Sequence, residues 1–174
     1  DDPTRVHVVS GQAQVAVTPG SVETVRLVPA DPPAYPESVA AIRSADWVVL
    51  GPGSWFTSVM THLLVPEVRE ALEVTRARRL LVLNLDPGTG ETAGFSAERH
   101  LETFAALAPD LRLDAVLADP AVVDDEEALE RHCALLGARL LVAPVARRDR
   151  SGEHDPLRFA AALRDILATP RPAR

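Results

Sequence analysis

Lysine is absent from this chain: all 18 basic residues are arginine. Cysteine occurs once, as Cys133, and aromatic residues make up only 4% of the sequence. A single cysteine excludes an internal disulfide and a cysteine-based zinc cage. Cys133 falls in an expected helix over 126–136 with no electropositive neighbourhood, so a buried, neutral thiol is expected rather than a nucleophile. The formal net charge of -7 excludes the basic face of a general nucleic-acid binder, so no nucleic-acid partner is expected. No apolar run approaches the ~20 residues that cross a bilayer, and no signal peptide opens the chain. A cytoplasmic location without a membrane span is the expectation. The five histidines, His7, His62, His100, His132 and His154, show no HExxH or related spacing, so no histidine-based metal site is expected. No serine occupies a GxSxG elbow, and no catalytic residue is assigned.

What is present fits one α/β domain over 1–168, followed by a proline- and arginine-rich tail over 169–174 that is expected to be disordered. Apolar residues make up 47% of the 174 positions, enough for a core of its own. The N-terminal part reads as short strands at 6–9, 14–17 and 24–28, separated by Gly11 and by Pro19-Gly20, as in a β meander. A proline-rich connector over 30–36 leads into a short helix over 36–42, with Pro36 in its first turn. From Asp46 onward the rhythm changes. Apolar strands at 47–50, 80–85, 115–118 and 140–143 alternate with helical patterns at 66–76, 97–107, 126–136 and 156–167. Uninterrupted apolar strands belong to a parallel sheet covered on both faces. The expected fold is therefore Rossmann-like: a doubly wound, mainly parallel sheet with helices on both faces and the N-terminal meander.

Ligands of such sheets collect beyond the carboxyl ends of the strands, which directs attention to the loops at 51–58, 86–96, 119–125 and 144–155. In the first loop, Gly51 and Gly53 permit close backbone approach, and Ser54, Thr57 and Ser58 add hydroxyls ahead of a helix expected over 57–64. This suits a phosphate or another anion. It is neither a Walker A motif nor GxGxxG, and a plain strand-to-helix turn capped by serine or threonine is the competing account. The stretch from Asn84 to Ser96 carries several glycines. Asn84 could offer its amide to a base or sugar, and Glu91 could accept from a sugar hydroxyl or ligate a metal, with Thr92 beside it. A flexible loop with exposed charges explains the same residues, and Ser96 would cap the next helix. The acidic run Asp124-Asp125-Glu126-Glu127 could hold Mg²⁺, but acidic residues also complement the dipole at a helix start. Asp155 and Pro156 make a sound helix start, with His154 and Arg158 near enough to meet an anion.

The string from Ala45 through Leu50-Gly51-Pro52-Gly53-Ser54-Trp55-Phe56-Thr57-Ser58, with Leu63-Leu64-Val65-Pro66, resembles the signature of the YvcK group of gluconeogenesis factors within the CofD/YvcK superfamily. Asn84-Leu85 leading into Gly90-Glu91-Thr92-Ala93-Gly94-Phe95-Ser96, then Asp114-Ala115-Val116-Leu117, and finally His154-Asp155-Pro156 fit as well. Members of that family begin with a strand and a glycine-rich loop that has no counterpart here, so the resemblance covers their C-terminal portion only. The sequence also departs from the family pattern at Gly88-Thr89, where Gln-Pro is usual, and at Glu153, where arginine is usual.

The resemblance implies a cytosolic regulator that binds UDP-sugars and links carbon metabolism to cell-wall synthesis and cell shape. Gly51, Gly53, Ser54, Thr57 and Ser58 would line the phosphate side, Asn84, Glu91 and Thr92 would meet the sugar or base, and His154 or Arg158 would sit at the rim. A CofD-like 2-phospho-L-lactate transferase, needing Mg²⁺ held by carboxylates, is the enzymatic alternative. A structural portion that does not bind alone is the third. An open sheet edge would leave room for a homo-oligomer.

Overall fold

The computed structural model describes residues 7–18, 22–85, 90–149 and 152–169. Four strands form one all-parallel sheet in the order β1 (Trp47–Leu50), β2 (Arg78–Val82), β3 (Ala115–Ala118) and β4 (Arg139–Val142). The register pairs Leu50 with Leu81, Val82 with Leu117 and Ala118 with Val142. Helices α2 (Pro36–Ser44), α3 (Pro66–Val74), α4 (Ala97–Leu107), α5 (Glu126–Leu135) and α6 (Pro156–Ala168) lie within two residues of the expected boundaries. Their starts have local causes: Ser96, Asp125 and Asp155 each accept a hydrogen bond from the first turn of the helix they precede, and Pro36, Pro66 and Pro156 stand at the first helical position.

Both faces of the two central strands, β2 and β3, are buried, which is why they read as continuous apolar runs. Leu81, Val116 and Ala118 point into a core shared with Leu72 of α3, Leu101 and Phe104 of α4, and Leu129 and Cys133 of α5. Leu80, Val82, Ala115 and Leu117 point the opposite way, onto Ala162 and Ile166 of α6. Phe104 is fully buried; truncating such a residue to alanine costs about 3–5 kcal/mol. The Cys133 thiol is buried as expected, and desolvation pushes its pKa up to about 12.

Two expectations need correction. The strand order steps in one direction from β1 to β4, so the reversal that defines a doubly wound sheet is absent among the described strands. Three like-handed crossovers that step one way place α3, α4 and α5 on a single face, and among the described helices α6 covers the second face, together with Val145. The β meander is also not found. Gln12–Ala16 is a short helix, α1, while 7–9 and 24–28 carry no strand. Val8, Val17 and Val28 are exposed, so these β-branched residues have no apolar layer to pack on. Alternation in a sequence states which face would be buried, not that a partner edge exists. Val6, Pro19 and Gly20 lie outside the described residues. Of the tail, Thr169 is held in place, its carbonyl accepting both terminal nitrogens of Arg78; 170–174 lie outside the described residues.

Candidate functional site

An open cleft of about 450 Å³ lies beyond the carboxyl ends of the strands. Gly53, Ser54 and Trp55 reach it from the segment after β1, Asn84, Gly90, Glu91 and Thr92 from the segment after β2, and His154 from the segment between β4 and α6. Of the residues singled out in the sequence, Gly53, Ser54, Asn84, Glu91, Thr92 and His154 meet in this one space, while Gly51, Thr57, Ser58 and Arg158 do not line it.

Gly51 works behind the cleft. Its φ is +78°, and a Cβ placed there would lie 2.7 Å from the carbonyl oxygen of Val82, so the chain leaves β1 in contact with the backbone of β2. The expected helix over 57–64 is replaced by a wide π-helical turn at Trp55–Val59 followed by a 3-10 stretch at Met60–Leu64. Wide turns of this kind recur at functional sites. Here the turn lets Trp55, Phe56, Val59, Met60 and Leu63 all bury their side chains. Thr57 is buried and its carbonyl accepts from Gln12 Nε2 at 2.9 Å, whereas Ser58 is half-buried. Ser54 is exposed at the cleft and its hydroxyl makes no capping bond to the turn.

Asn84 and Glu91 are the two cross-links of the site. The Asn84 amide exchanges two hydrogen bonds with the Gly53 backbone, at 3.1 and 2.9 Å, so the side chain expected to meet a base or sugar also holds the first loop. Glu91 is not an exposed loop charge. It is 5% exposed, and its Oε1 accepts from the Phe56 N–H at 2.8 Å, closing the N-terminal end of the turn. Its Oε2 has no partner among the described residues. Asp86, Gly88 and Thr89 lie outside the described residues.

His154 reaches the cleft through a second cross-link. Asp119, buried at the end of β3, accepts from Val145 and Ala146 N–H, each at 2.8 Å, and from Ala121 N–H at 2.9 Å. Ala146 in turn pairs with His154 across an antiparallel bridge, and the imidazole packs edge-on against Phe159 at 5.1 Å. Burial lowers the His154 pKa, against a smaller opposing effect of the Asp119 charge, so the ring is neutral at pH 7. Arg158 points elsewhere: it lines a separate cavity of about 650 Å³ with Arg147 and Arg148, and its Nη1 donates to the Ala146 carbonyl at 3.3 Å.

Sequence reasoning missed Trp55, Gly90, Gly152 and Ala16 as lining residues. The positive φ of Gly90 and Gly152, +59° and +73°, is a signal that their glycine identity carried. Nothing in the sequence marked Ala16, which belongs to a segment read as a strand. Behind Trp55 stands His100, 1% exposed, its ring edge-on to Trp55 at 4.7 Å and to Phe95 at 5.4 Å. Its Nδ1–H donates to the Ser96 carbonyl at 2.8 Å, and burial lowers its pKa. The acidic run over 124–127 is exposed and serves the start of α5, where Asp125 accepts from Ala128 N–H at 2.9 Å. Among the described residues no group of His, Cys, Asp or Glu is placed to hold a metal ion. None of the described helices is long and apolar enough to cross a membrane.

The family model described as "2-phospho-L-lactate transferase CofD" matches residues 3–145. The "Putative gluconeogenesis factor" of Mycobacterium tuberculosis H37Rv is 48% identical over 170 residues, covering 96% of this chain and 49% of that protein. The "Gluconeogenesis factor" of Halalkalibacterium halodurans is 38% identical over 97 residues, covering 56% of this chain and 30% of that protein. A crystal structure of a UPF0052-family protein from Bacillus halodurans superposes with a TM-score of 0.71 at 22% identity, over 92% of this chain and 55% of that one; at that identity the likeness shows the fold. The chain spans about half the length of the mycobacterial relative it matches.

Proposed function

The chain belongs to the CofD family and is a homologue of the gluconeogenesis factors, and from that premise we propose that its strand-end cleft binds a nucleotide sugar of the UDP-sugar class. In this reading the protein is a regulator that links carbon metabolism to cell-wall synthesis and cell shape. The observation that carries the proposal is the meeting of Gly53, Ser54, Asn84, Glu91, Thr92 and His154 from three separate strand-end segments in one cleft. Parallel α/β sheets place their ligands at this end. The Ser54 hydroxyl faces the phosphate side, Glu91 and Thr92 face the sugar or base, and His154 stands at the rim. Gly51, Thr57, Ser58 and Asn84 support the wall by shape and by hydrogen bonding within the protein.

A second reading, transfer of a 2-phospholactyl group, rests on the description of the family model. It calls for Mg²⁺ held by carboxylates; binding takes precedence because the matching relatives bear the name gluconeogenesis factor. Calorimetric titration with UDP-N-acetylglucosamine, GDP and NAD distinguishes the readings. Saturable UDP-sugar binding without turnover is the expected result. Turnover of a guanylyl-activated phospholactate would replace the regulatory reading with the enzymatic one. Silence toward every nucleotide would overturn both and leave a structural role.

A further inference from the structure

Two polar atoms of residues lining the cleft are buried without a partner among the described residues: Glu91 Oε2 and His154 Nε2. Glu91 cannot easily turn away to satisfy its free oxygen. Oε1 is committed to the Phe56 N–H, and the Glu91 backbone carbonyl accepts from Val22 N–H at 3.0 Å. A buried acceptor left unpaired in a native fold calls for an explanation, and an ionised carboxylate can only accept. What completes it must bring a donor.

Among the described residues the cleft has the wrong polarity for a phosphate at this spot: no arginine lines it, and Glu91 is its one formally charged side chain. Several loop amides that would serve an anion are already engaged: Gly53 N–H by Asn84, Phe56 N–H by Glu91, and Ser58 and Val59 N–H by the Ser54 carbonyl. The Glu91 carboxylate therefore holds the anion position itself, and a phosphate brought beside it would meet a like charge. A sugar hydroxyl meets neither obstacle.

We propose, resting on the nucleotide-sugar reading above, that Glu91 is the specificity-determining residue of the cleft, its Oε2 accepting from a hydroxyl of the ligand's sugar while the phosphates lie toward Ser54. His154 Nε2 supplies a second hydrogen bond to the same hydroxylated portion. Burial keeps that imidazole neutral, so it adds a directional contact and no charge.

Glu91→Gln is the discriminating variant. Glutamine keeps an acceptor for Phe56 N–H and places an N–H₂ donor where Oε2 stands. The protein and the variant are titrated calorimetrically with UDP-N-acetylglucosamine, GDP and NAD, and their thermal midpoints are recorded. The expected result is an unchanged or raised midpoint with affinity for the sugar nucleotide lowered about tenfold, since a charge-assisted hydrogen bond to the hydroxyl is replaced by a weaker neutral one. Unchanged or tightened binding overturns the proposal, because a phosphate at this position would gain from the new donor; the nucleotide-sugar reading would survive that result. If UDP-N-acetylglucosamine is ignored while GDP or NAD binds, the nucleotide-sugar reading falls and the same comparison on the ligand that binds decides the role of Glu91. Silence toward all three overturns both. Should Glu91→Gln lower the midpoint, His154→Phe, which retains a ring to pack on Phe159, provides the equivalent test at the second partner: weakened binding supports the proposal and unaltered binding overturns it.

Discussion

The Asn84 side chain and the Gly53 backbone are joined by a reciprocal pair of hydrogen bonds, Gly53 N–H to Asn84 Oδ1 at 3.1 Å and Asn84 Nδ2–H to Gly53 O at 2.9 Å. The last β1–β2 backbone pair is Leu50 with Leu81, and Gly53 with Asn84 keeps the same offset along the two chains. A side-chain amide thus carries the pairing past the end of the sheet and fixes the loop that forms one wall of the cleft. Asn84→Ala removes both bonds, at an expected cost of about 1–3 kcal/mol on urea denaturation. Asn84→Asp keeps an acceptor for Gly53 N–H but sets a carboxylate oxygen against the Gly53 carbonyl, so its loss is expected to be at least as large. An Asn84→Ala midpoint equal to that of the parent would show that the loop holds its shape without the amide.

His100 gives the fold a dependence on pH whose sign follows from its burial. Its pKa lies below the ordinary value of 6.5 in the folded protein. Above 6.5 the ring is neutral whether the chain is folded or not, and stability does not depend on it. As pH falls through 6.5, the unfolded chain takes up the proton first, so stability declines until the folded-state pKa is passed. His154, shifted the same way, adds to the decline. Denaturant midpoints measured between pH 7.5 and 5 are expected to fall, and His100→Phe, which preserves the edge-on packing with Trp55 and Phe95, should flatten the slope over that window. An equal slope in the variant would assign the dependence to other groups.

The four strands and helices α2 to α6 were legible in the sequence because burial and local caps leave a trace there, whereas the wide turn at Trp55–Val59 and the 3-10 stretch at Met60–Leu64 read as one ordinary helix. Leu80 to Leu83 read as one apolar run since both faces of β2 are covered, and Asp125 and Asp155 cap helices only a few residues away. Features that depend on distant partners were not legible. The glutamate at 91 reads as a loop charge because the Phe56 N–H that it satisfies lies 35 residues earlier in the chain. The bonds of Asn84 to Gly53 left no trace in the sequence because Gly53 lies 31 residues away. Arg158 follows the cap at Asp155, and whether it faced the cleft or the neighbouring cavity depended on how α6 is rotated against the sheet, which the motif does not specify.

Asp119 ties the segment after β3 to the segment after β4 at the carboxyl edge of the sheet, accepting from Ala121, Val145 and Ala146. Because Ala146 bridges to His154, removing the carboxylate should disturb the cleft as well as the fold. Asp119→Ala is expected to lose about 3 kcal/mol, in the range for hydrogen bonds to a charged group whose buried partners are left unpaired, and to weaken nucleotide-sugar binding through misplacement of His154. Asp119→Asn, which retains one carbonyl acceptor, should recover part of both. Loss of stability without any loss of affinity would separate the staple from the site.

Gly51 and Gly94 share a left-handed backbone, φ +78° and +80°, but differ in their surroundings. A Cβ at Gly94 meets nothing within 4 Å, whereas one at Gly51 would lie 2.7 Å from the Val82 carbonyl oxygen. Alanine at Gly94 therefore bears only the conformational cost, about 1 kcal/mol. Alanine at Gly51 bears that cost and in addition forces β1 and β2 apart at the mouth of the cleft, for a total of about 3 kcal/mol or more. Because the two strains are matched, the difference between the two denaturation midpoints isolates the steric contact. Equal losses in Gly51→Ala and Gly94→Ala would mean that the loop moves aside freely, and that close approach to β2 is not what requires glycine after Leu50.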